Sequence, residues 1–434
     1  MFSSLQKKID LTNLFRLSKQ NKLYINILLF GVLLLPISII AGPLILEILI
    51  FLIFLSYFYY FFTSKRNKIK LHYIEILVFT FFFVIILSSL LSEHKLISLK
   101  SSVFSIRFII YFYAVFLLLN KLKYFQKYFF IICAACLFFA IFDGYIQLFT
   151  GKNIFLLEKI NKHIVSGVFG DEKKLGSFLV RFSPLVIGFY LLFSKQKLET
   201  QWNYLIAFCL FLLFLIWFTA ERIALAYCLV TLLFVAIYFL KKGGDKLKFL
   251  MFLFSWIIIP GFLVVWVNMF QLVIKNTYKQ LTPKGDIIFF SYVHEDYALT
   301  SIELFKKKKI FGIGPNNFRR DCHKIELIRS INENRNINYC STHPHNIFFQ
   351  LLAETGIAGI TIYLFIIFVL FKELNKFFIK KNFFHEKVFF LLPIIYYLNP
   401  LFPSGNFFNN WYMFIGIIGV PFYLYWSKIK KSAK

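Results

Sequence analysis

Long apolar runs separated by short polar stretches set the pattern of this chain from Leu23 onward. About 20 consecutive apolar residues in helical form cross a hydrocarbon core. Runs of that kind recur at 23–41, 43–62, 73–91, 103–120, 128–149, 175–194, 203–219, 222–240, 249–269, 346–371, 387–403 and 408–426. The pattern predicts an all-α polytopic membrane protein of about 12 transmembrane helices. One polar stretch, 270–345, is far longer than the rest and falls between spans 9 and 10. The expected organisation is therefore an N-terminal segment 1–22, spans 1–9 over 23–269, a large loop 270–345, spans 10–12 over 346–426 and a tail 427–434. The run from Leu23 is too long for the apolar core of a signal peptide, and no small-residue cleavage site follows it, so cleavage there is not expected.

Composition agrees with the hydropathy. The chain has 434 residues, 59% hydrophobic and only 16% charged, whereas soluble domains run near a quarter charged. The net charge of +28 raises the question of nucleic acid, but the basic residues are dispersed. They sit in short clusters between apolar runs, such as Lys65, Arg66, Lys68 and Lys70, or Lys241, Lys242, Lys246 and Lys248. A nucleic-acid binder gathers them on one soluble face; clusters between spans mark cytoplasmic connections. The even-numbered connections and both ends carry them, while the first and eleventh connections carry none. Both termini are thus expected in the cytoplasm, and the 270–345 loop outside, in the periplasm of an inner-membrane protein.

Polar residues near the outer face are the candidate chemistry. Thr219-Ala220-Glu221-Arg222 joins spans seven and eight with almost no linker, which fixes a guanidinium near headgroup depth; Arg222 either binds an anion there, or snorkels or pairs with Glu221. His343-Pro344-His345-Asn346 leads into span ten, with the helix starting near His345 or Asn346. His345, Phe349, Leu352 and Gly356 are expected on one helix face, and Gly356 and Gly359 allow close approach of a neighbouring helix. Phe311-Gly312-Ile313-Gly314-Pro315 reads as a tight turn that aims Arg319 or Arg320 at the membrane surface, because no βαβ unit surrounds it as a nucleotide loop would require. Arg107, Asp143 and Arg181 lie within spans, and Asp171 to Lys174 precede span six; ion pairs between spans are the plain expectation for these. Cys322 and Cys340 both fall in the outside loop, where an oxidising compartment permits a disulfide, the alternative being two free thiols. His343 and His345 lack a second ligand pair at a metal spacing, so no metal site is expected.

The string His343-Pro344-His345-Asn346, followed by Gln350, Leu351, Leu352, Glu354, Gly356 and Gly359, resembles the signature of the O-antigen ligase and O-antigen polymerase family. The Gly312–Gly314 turn with Phe318 and Arg319, the Thr219–Ala224 corner, Gln147 with Gly151, and the 167–179 segment fit the same pattern, so the resemblance spans roughly 100–420. It implies metal-independent glycosyl transfer without a cofactor, at the periplasmic face, in lipopolysaccharide or related surface-glycan assembly. The implied donor is a glycan on undecaprenyl diphosphate, and the acceptor is lipid A-core for a ligase or a second lipid-linked glycan for a polymerase. His345 is the implied base, with His343 as its orienting partner or substitute. Arg222 is the first diphosphate-binding cation. Where many members carry an arginine this chain has His294, Glu295 and Asp296, so the second cation falls to Arg319 or His294, with Arg320 and Arg181 as further candidates. A transporter or flippase of lipid-linked sugars is the competing class; it predicts repeated halves and polar groups at the midplane, which the sequence lacks.

Overall fold

The computed structural model describes residues 23–63, 73–122, 124–246, 248, 278, 292–325, 340–380 and 385–432. The expected N-terminal segment 1–22 and span nine at 249–269 lie outside the described residues, as does most of the loop at 270–291 and 326–339. The described residues are helical throughout, broken only by turns and two isolated β-bridges between Lys152 and Glu158 and between Ile160 and Ile164. Hydrocarbon leaves backbone amides no solvent partner, so long runs of Leu, Ile and Phe satisfy them internally as helix.

Among the described residues, eight helical stretches are long and apolar enough to cross a membrane, Lys95–Lys121 counted as one, and a ninth apolar helix, Glu75–Leu90, is shorter. In chain order the helices are α1 Leu23–Ala41, α2 Pro43–Thr63, α3 Tyr73–Leu90, α4 Lys95–Ser105, α5 Arg107–Lys121, α6 Phe125–Thr150, α7 Leu175–Phe193, α8 Leu198–Phe218, α9 Arg222–Lys241, α10 Tyr292–Lys307, α11 Phe318–Asp321, α12 Ile347–Ile379, α13 Leu392–Tyr397, α14 Asn410–Ile417 and α15 Val420–Ser432. The expected single spans 387–403 and 408–426 are interrupted. The first is a 3-10 turn at His385–Phe390, then α13, then extended chain; the second is α14 and α15. Pro393, Pro400, Pro403 and Pro421 each remove an amide donor, and Gly405 and Gly419 loosen the backbone, which accounts for the breaks. The fourth run also starts earlier than expected: Lys95 and Lys100 belong to helix, with Ser98, Ser102 and Ser105 of α4 buried.

The chain divides into two compact units, residues 1–70 with 106–132, and residues 71–105 with 133–434. Within the first, α1 and α2 pack together and both meet α5. Arg107 at the head of α5 grips Glu47 of α2 with both terminal nitrogens, Nη2 to Oε1 at 2.9 Å. Arg107 is thus an ion pair between helices, as the plain reading of its position expects.

In the second unit α12 packs on α3 and α10, and α7 on α9 and the 385–390 turn. The decisive feature is a break within α12 at Gly356, whose φ of 64° and ψ of −160° belong to a region open essentially to glycine. The break removes two internal hydrogen bonds, those from the amides of 357 and 358 to the carbonyls of 353 and 354. The segment 309–314 replaces both. Ile313 N and Gly314 N donate to Ala353 O and Glu354 O at 3.0 and 2.9 Å, while Ile357 N and Ala358 N donate to Lys309 O and Ile310 O at 2.8 and 3.1 Å. The expected common face of His345, Phe349, Leu352 and Gly356 therefore ends at this kink, and Gly356 approaches loop backbone rather than a helix. Gly359 differs as well, since a Cβ there would meet Thr355 of its own helix.

A Cβ at Gly356 would lie 2.5 Å from Ile310 O, so Gly356→Ala should cost about 3 kcal/mol and lower the thermal midpoint of the detergent-solubilised protein markedly. Gly405→Ala, where the new atom meets the Tyr412 ring at 3.4 Å, should leave that midpoint within about 1 °C. Equal behaviour of the two variants contradicts this account of the kink.

Candidate functional site

The segment replacing the broken α12 hydrogen bonds also carries a site residue. Gly312 sits against the α12 backbone, where a Cβ would be 2.5 Å from Glu354 C, and Gly314 packs on Ser92 and Ser98. Beyond them the Glu354 carboxylate, fully buried in α12, accepts Phe318 N at 3.1 Å and Gln350 Nε2 at 3.0 Å. Gln350 continues to Asn406 Oδ1 (2.8 Å), and Asn406 to Asn316 Oδ1 (2.7 Å). Asn317 Nδ2 reaches Ser92 Oγ at 2.6 Å and Ser98 Oγ at 2.9 Å. A small apolar core of Leu304, Ile313, Phe318, Cys322, Ile325 and Ala353 closes beneath. Arg319, exposed on α11, is thereby mounted on a rigid turn, its Nη2 3.4 Å from Asn316 Oδ1. Ion pairs from Lys308 and Lys324 to Glu93, both at 3.1 Å, tie the same region to the end of α3.

The two histidines stand at the entry to α12. Asn346 is the N-cap, accepting Phe349 N at 3.2 Å. The residue before it, His345, has φ of 56°, a left-handed conformation that costs about 1–3 kcal/mol outside glycine. Ser404 holds it there: its amide donates to His345 O at 2.7 Å, while its carbonyl meets His343 Nε2 at 3.2 Å. A carbonyl only accepts, so His343 carries its proton on Nε2, and Nδ1 accepts from the Thr342 hydroxyl at 2.9 Å. Both nitrogens of the buried His343 are committed to protein. His345 is half-buried, and its Nε2 meets Ser341 Oγ at 3.2 Å.

A third histidine joins them from α10. The His345 ring lies 4.1 Å from His343 and 6.0 Å from His294, centroid to centroid, with Tyr297 at 5.5 Å. Burial, then the neighbouring His345, pushes His343 down to about 4 against the ordinary 6.5, with Arg319 adding to the fall. Burial first, then His294, lowers His345. Burial first, then Arg222, lowers His294. His294, His345 and His343 thus form one contiguous set of rings, each favoured in its neutral form, with the charge of Arg222 acting on His294 and that of Arg319 on His343.

Arg222 is placed by the corner before it. Ala220 has φ of 54°, and Glu221 precedes the first turn of α9. The Glu221 carboxylate crosses to α7 and accepts Gly176 N at 2.7 Å, Ser177 N at 2.9 Å and Ser177 Oγ at 2.7 Å. Burial raises its pKa while these donors and Arg181 pull it down. Glu221 is engaged at the positive end of the α7 dipole, not held as the partner expected for its neighbour. Two of the expected cations are not brought to the histidines. Arg181 is buried between Tyr227 and Tyr412, donating to Tyr412 Oη at 2.9 Å, and forms no ion pair among the described residues. Arg320 is exposed beside Arg319 and joins none of these residues. Asp143 likewise forms no ion pair among the described residues; it accepts Ile154 N at 2.9 Å and anchors the 151–170 loop.

Tyr297, Asn406 and Ser404 were not singled out by sequence. Ser404 and Asn406 act from about sixty residues away through backbone or amide contacts, and nothing in the linear pattern signals that. A disulfide joins Cys322 to Cys340, Cα to Cα 5.3 Å, and fastens α11 to the strand of chain leading to His343. His323 lies close to both sulfurs, but sulfurs tied to each other are not thiolate ligands, so this trio does not fit a metal.

Residues 207–364 match the sequence model of the family described as O-antigen ligase. That span holds Arg222, His294, Arg319, His343 and His345 together with the Gly356 break. No curated protein and no solved structure matches the chain.

The disulfide predicts that Cys322 and Cys340 resist maleimide in the intact membrane and react only after a reductant, read as a mass shift of the tryptic peptides. Labelling of both without reductant contradicts it.

Proposed function

We propose, on the premise that residues 207–364 are an O-antigen ligase family domain, that this chain transfers a glycan from undecaprenyl diphosphate to a sugar hydroxyl at the periplasmic face of the inner membrane. The acceptor is lipid A-core in the ligase form of the reaction or a second lipid-linked glycan in the polymerase form. The observation that carries the reading is the packing of His294, His345 and His343 into one set of rings, on which the charges of Arg222 and Arg319 act. The twelve-span arrangement with cytoplasmic termini is part of the same proposal, and the distribution of lysines between runs supports it. A flippase would place its polar groups at the midplane, whereas these gather at helix ends.

In this reading Arg222 and Arg319 bind the donor diphosphate, as planar guanidiniums suit phosphate oxygens. His345 is the base. Its ring is less buried than that of His343, whose nitrogens are already committed, and burial keeps it neutral at neutral pH. The acceptor hydroxyl loses its proton to His345 as its oxygen bonds to the anomeric carbon. The bond from that carbon to the phosphate oxygen breaks, and undecaprenyl diphosphate leaves with the electron pair, its charge held by the arginines. His343, fixed by Thr342 and Ser404, orients His345, and His294 sits between His345 and Arg222 as a neutral neighbour.

His345→Ala should insert and fold normally and lose about 100-fold or more of transfer activity, read as glycan extension on gels with purified lipid-linked donor; near-normal transfer sinks the assignment. For the parent protein the acid limb of the rate profile should fall below pH 6.5, because a depressed pKa leaves the base neutral above that value and it protonates only as pH drops through the lower one. Arg222→Lys keeps the charge and loses the fork, and activity should fall about tenfold or more; full activity there assigns Arg222 a purely structural part.

A further inference from the structure

Below the Arg222 corner, the second unit carries an apolar groove that the reaction above does not use. It lies between the last turns of α6 and the later half of α8, about 610 Å³ in volume and open on one side, lined by Phe142, Tyr145, Ile146, Phe149, Phe211 and Phe214. Its wall is preformed. Tyr145 Oη donates to Phe211 O at 2.6 Å, and the Tyr145 ring stacks on Phe211 at 4.1 Å, on Phe149 at 6.0 Å and on Phe214 at 6.3 Å. A hydrogen bond from a ring to a partner helix backbone holds the groove open without a ligand, which reduces the ordering cost of filling it.

Three observations say what fills it. First, Phe214 lies about 6 Å of helix before the end of α8 at Phe218, and the 219–221 corner then leads directly into Arg222 at the start of α9, so the groove opens near the end of the helix pair that carries the proposed diphosphate cation. Second, the same end of α6 bears a rigid loop with an apolar tip: Ile154, Phe155, Leu156 and Leu157 are exposed, Leu156 by 75%. Asp143, Gln147 and Asn153 hold the backbone that presents them, with Asn153 Oδ1 accepting Phe155 N and Leu157 N at 2.9 and 2.8 Å. Apolar side chains held out in this way belong in lipid. Third, a dry apolar cavity near 150 Å³ takes a six-carbon ring, so 610 Å³ takes on the order of twenty carbons, which suits the diphosphate-proximal isoprene units of a long chain.

We infer that this groove seats the first isoprene units of the donor's polyprenyl chain while Arg222 holds its diphosphate; the inference rests on the glycan-transfer reading for the identity of the lipid. The branched, unsaturated chain lies against five aromatic rings, and the 154–157 tip flanks it in the membrane.

The test uses the full chain in lipid nanodiscs with a benzophenone-bearing undecaprenyl diphosphate that carries no glycan, so that labelling does not depend on transfer. Mass spectrometry should place the adduct on the 142–149 or 211–214 peptides. Unlabelled undecaprenyl diphosphate should compete, and excess phosphatidylglycerol should not. Ile146→Trp, which fills the groove without adding charge, should lower labelling roughly fivefold or more, while Phe365→Trp on the exposed flank of α12 should leave it unchanged. Each variant is checked for monodisperse elution. Tyr145→Phe, which keeps the ring and removes only the bond to Phe211, offers a milder perturbation if Ile146→Trp fails to fold, with an expected drop of about twofold. Equal labelling by a benzophenone phosphatidylglycerol, or adducts scattered over other helices, overturns the groove assignment. A protein that labels here yet transfers no glycan overturns the transfer reading and leaves the prenyl seat standing.

Discussion

At Gly356 helix α12 gives up two of its own hydrogen bonds, and the carbonyls and amides it frees are taken by residues 309–314. Inside a membrane protein such an exchange is nearly obligatory once the helix breaks, because each unpaired backbone group costs several kcal/mol in hydrocarbon. The exchange therefore fixes the register of the 309–314 segment against α12 to the residue. Phe318, Arg319 and Cys322 follow within a few residues, and the Glu354 carboxylate, two residues before the kink, takes Phe318 N. Position thus passes from a glycine to an arginine by way of hydrogen bonds alone. The disulfide adds a second tether from the same turn to the chain entering His343.

The electrostatics of the site follow from this rigidity. Three imidazoles gathered within about 6 Å of their neighbours cannot all be charged, and burial makes the neutral form the favoured one for each. The flanking guanidiniums push the same way. The positive charge of the site then resides on the arginines, and His345, whose nitrogens are less committed than those of His343, is able to accept a proton. A set of protonated histidines would bind an anion more strongly but could not act as a base. His343 also links the site to stability. Its neutral form is favoured in the fold, so its contribution is intact above the ordinary 6.5 and is lost as pH falls towards about 4.

Much of this was legible in the sequence because the chain's strongest signals are local. Apolar runs of span length gave the long helices among the described residues, several with ends close to those expected, and Pro344 with Asn346 marked the start of α12 within a residue or two. His343, His345 and His294, picked from separate motifs, pack ring against ring. Where the reading departed, a long-range or backbone cause was at work. The Gly356 break looks, in sequence, like a small residue for helix packing; only the 309–314 partner reveals it as a kink. The runs 387–403 and 408–426 are apolar enough to span, yet their prolines and glycines break them. Arg181 was a reasonable cation by type, but two tyrosines claim it, a pairing that no spacing within the chain announces.

Glu221 shows how one acidic residue can set the chemistry of its neighbour without touching substrate. Its carboxylate is spent on three donors at the start of α7, and the left-handed Ala220 lets the chain reach that position and turn straight into α9. Moving Glu221 would tilt the axis on which Arg222 stands as well as uncapping α7. The corner thereby couples α7, which buries Arg181, to the arginine next to the histidines. The α8–α9 corner fixes the backbone from which Arg222 starts, and the α12 kink fixes the turn that carries Arg319, so both arginines rise from backbone held by hydrogen bonds between elements.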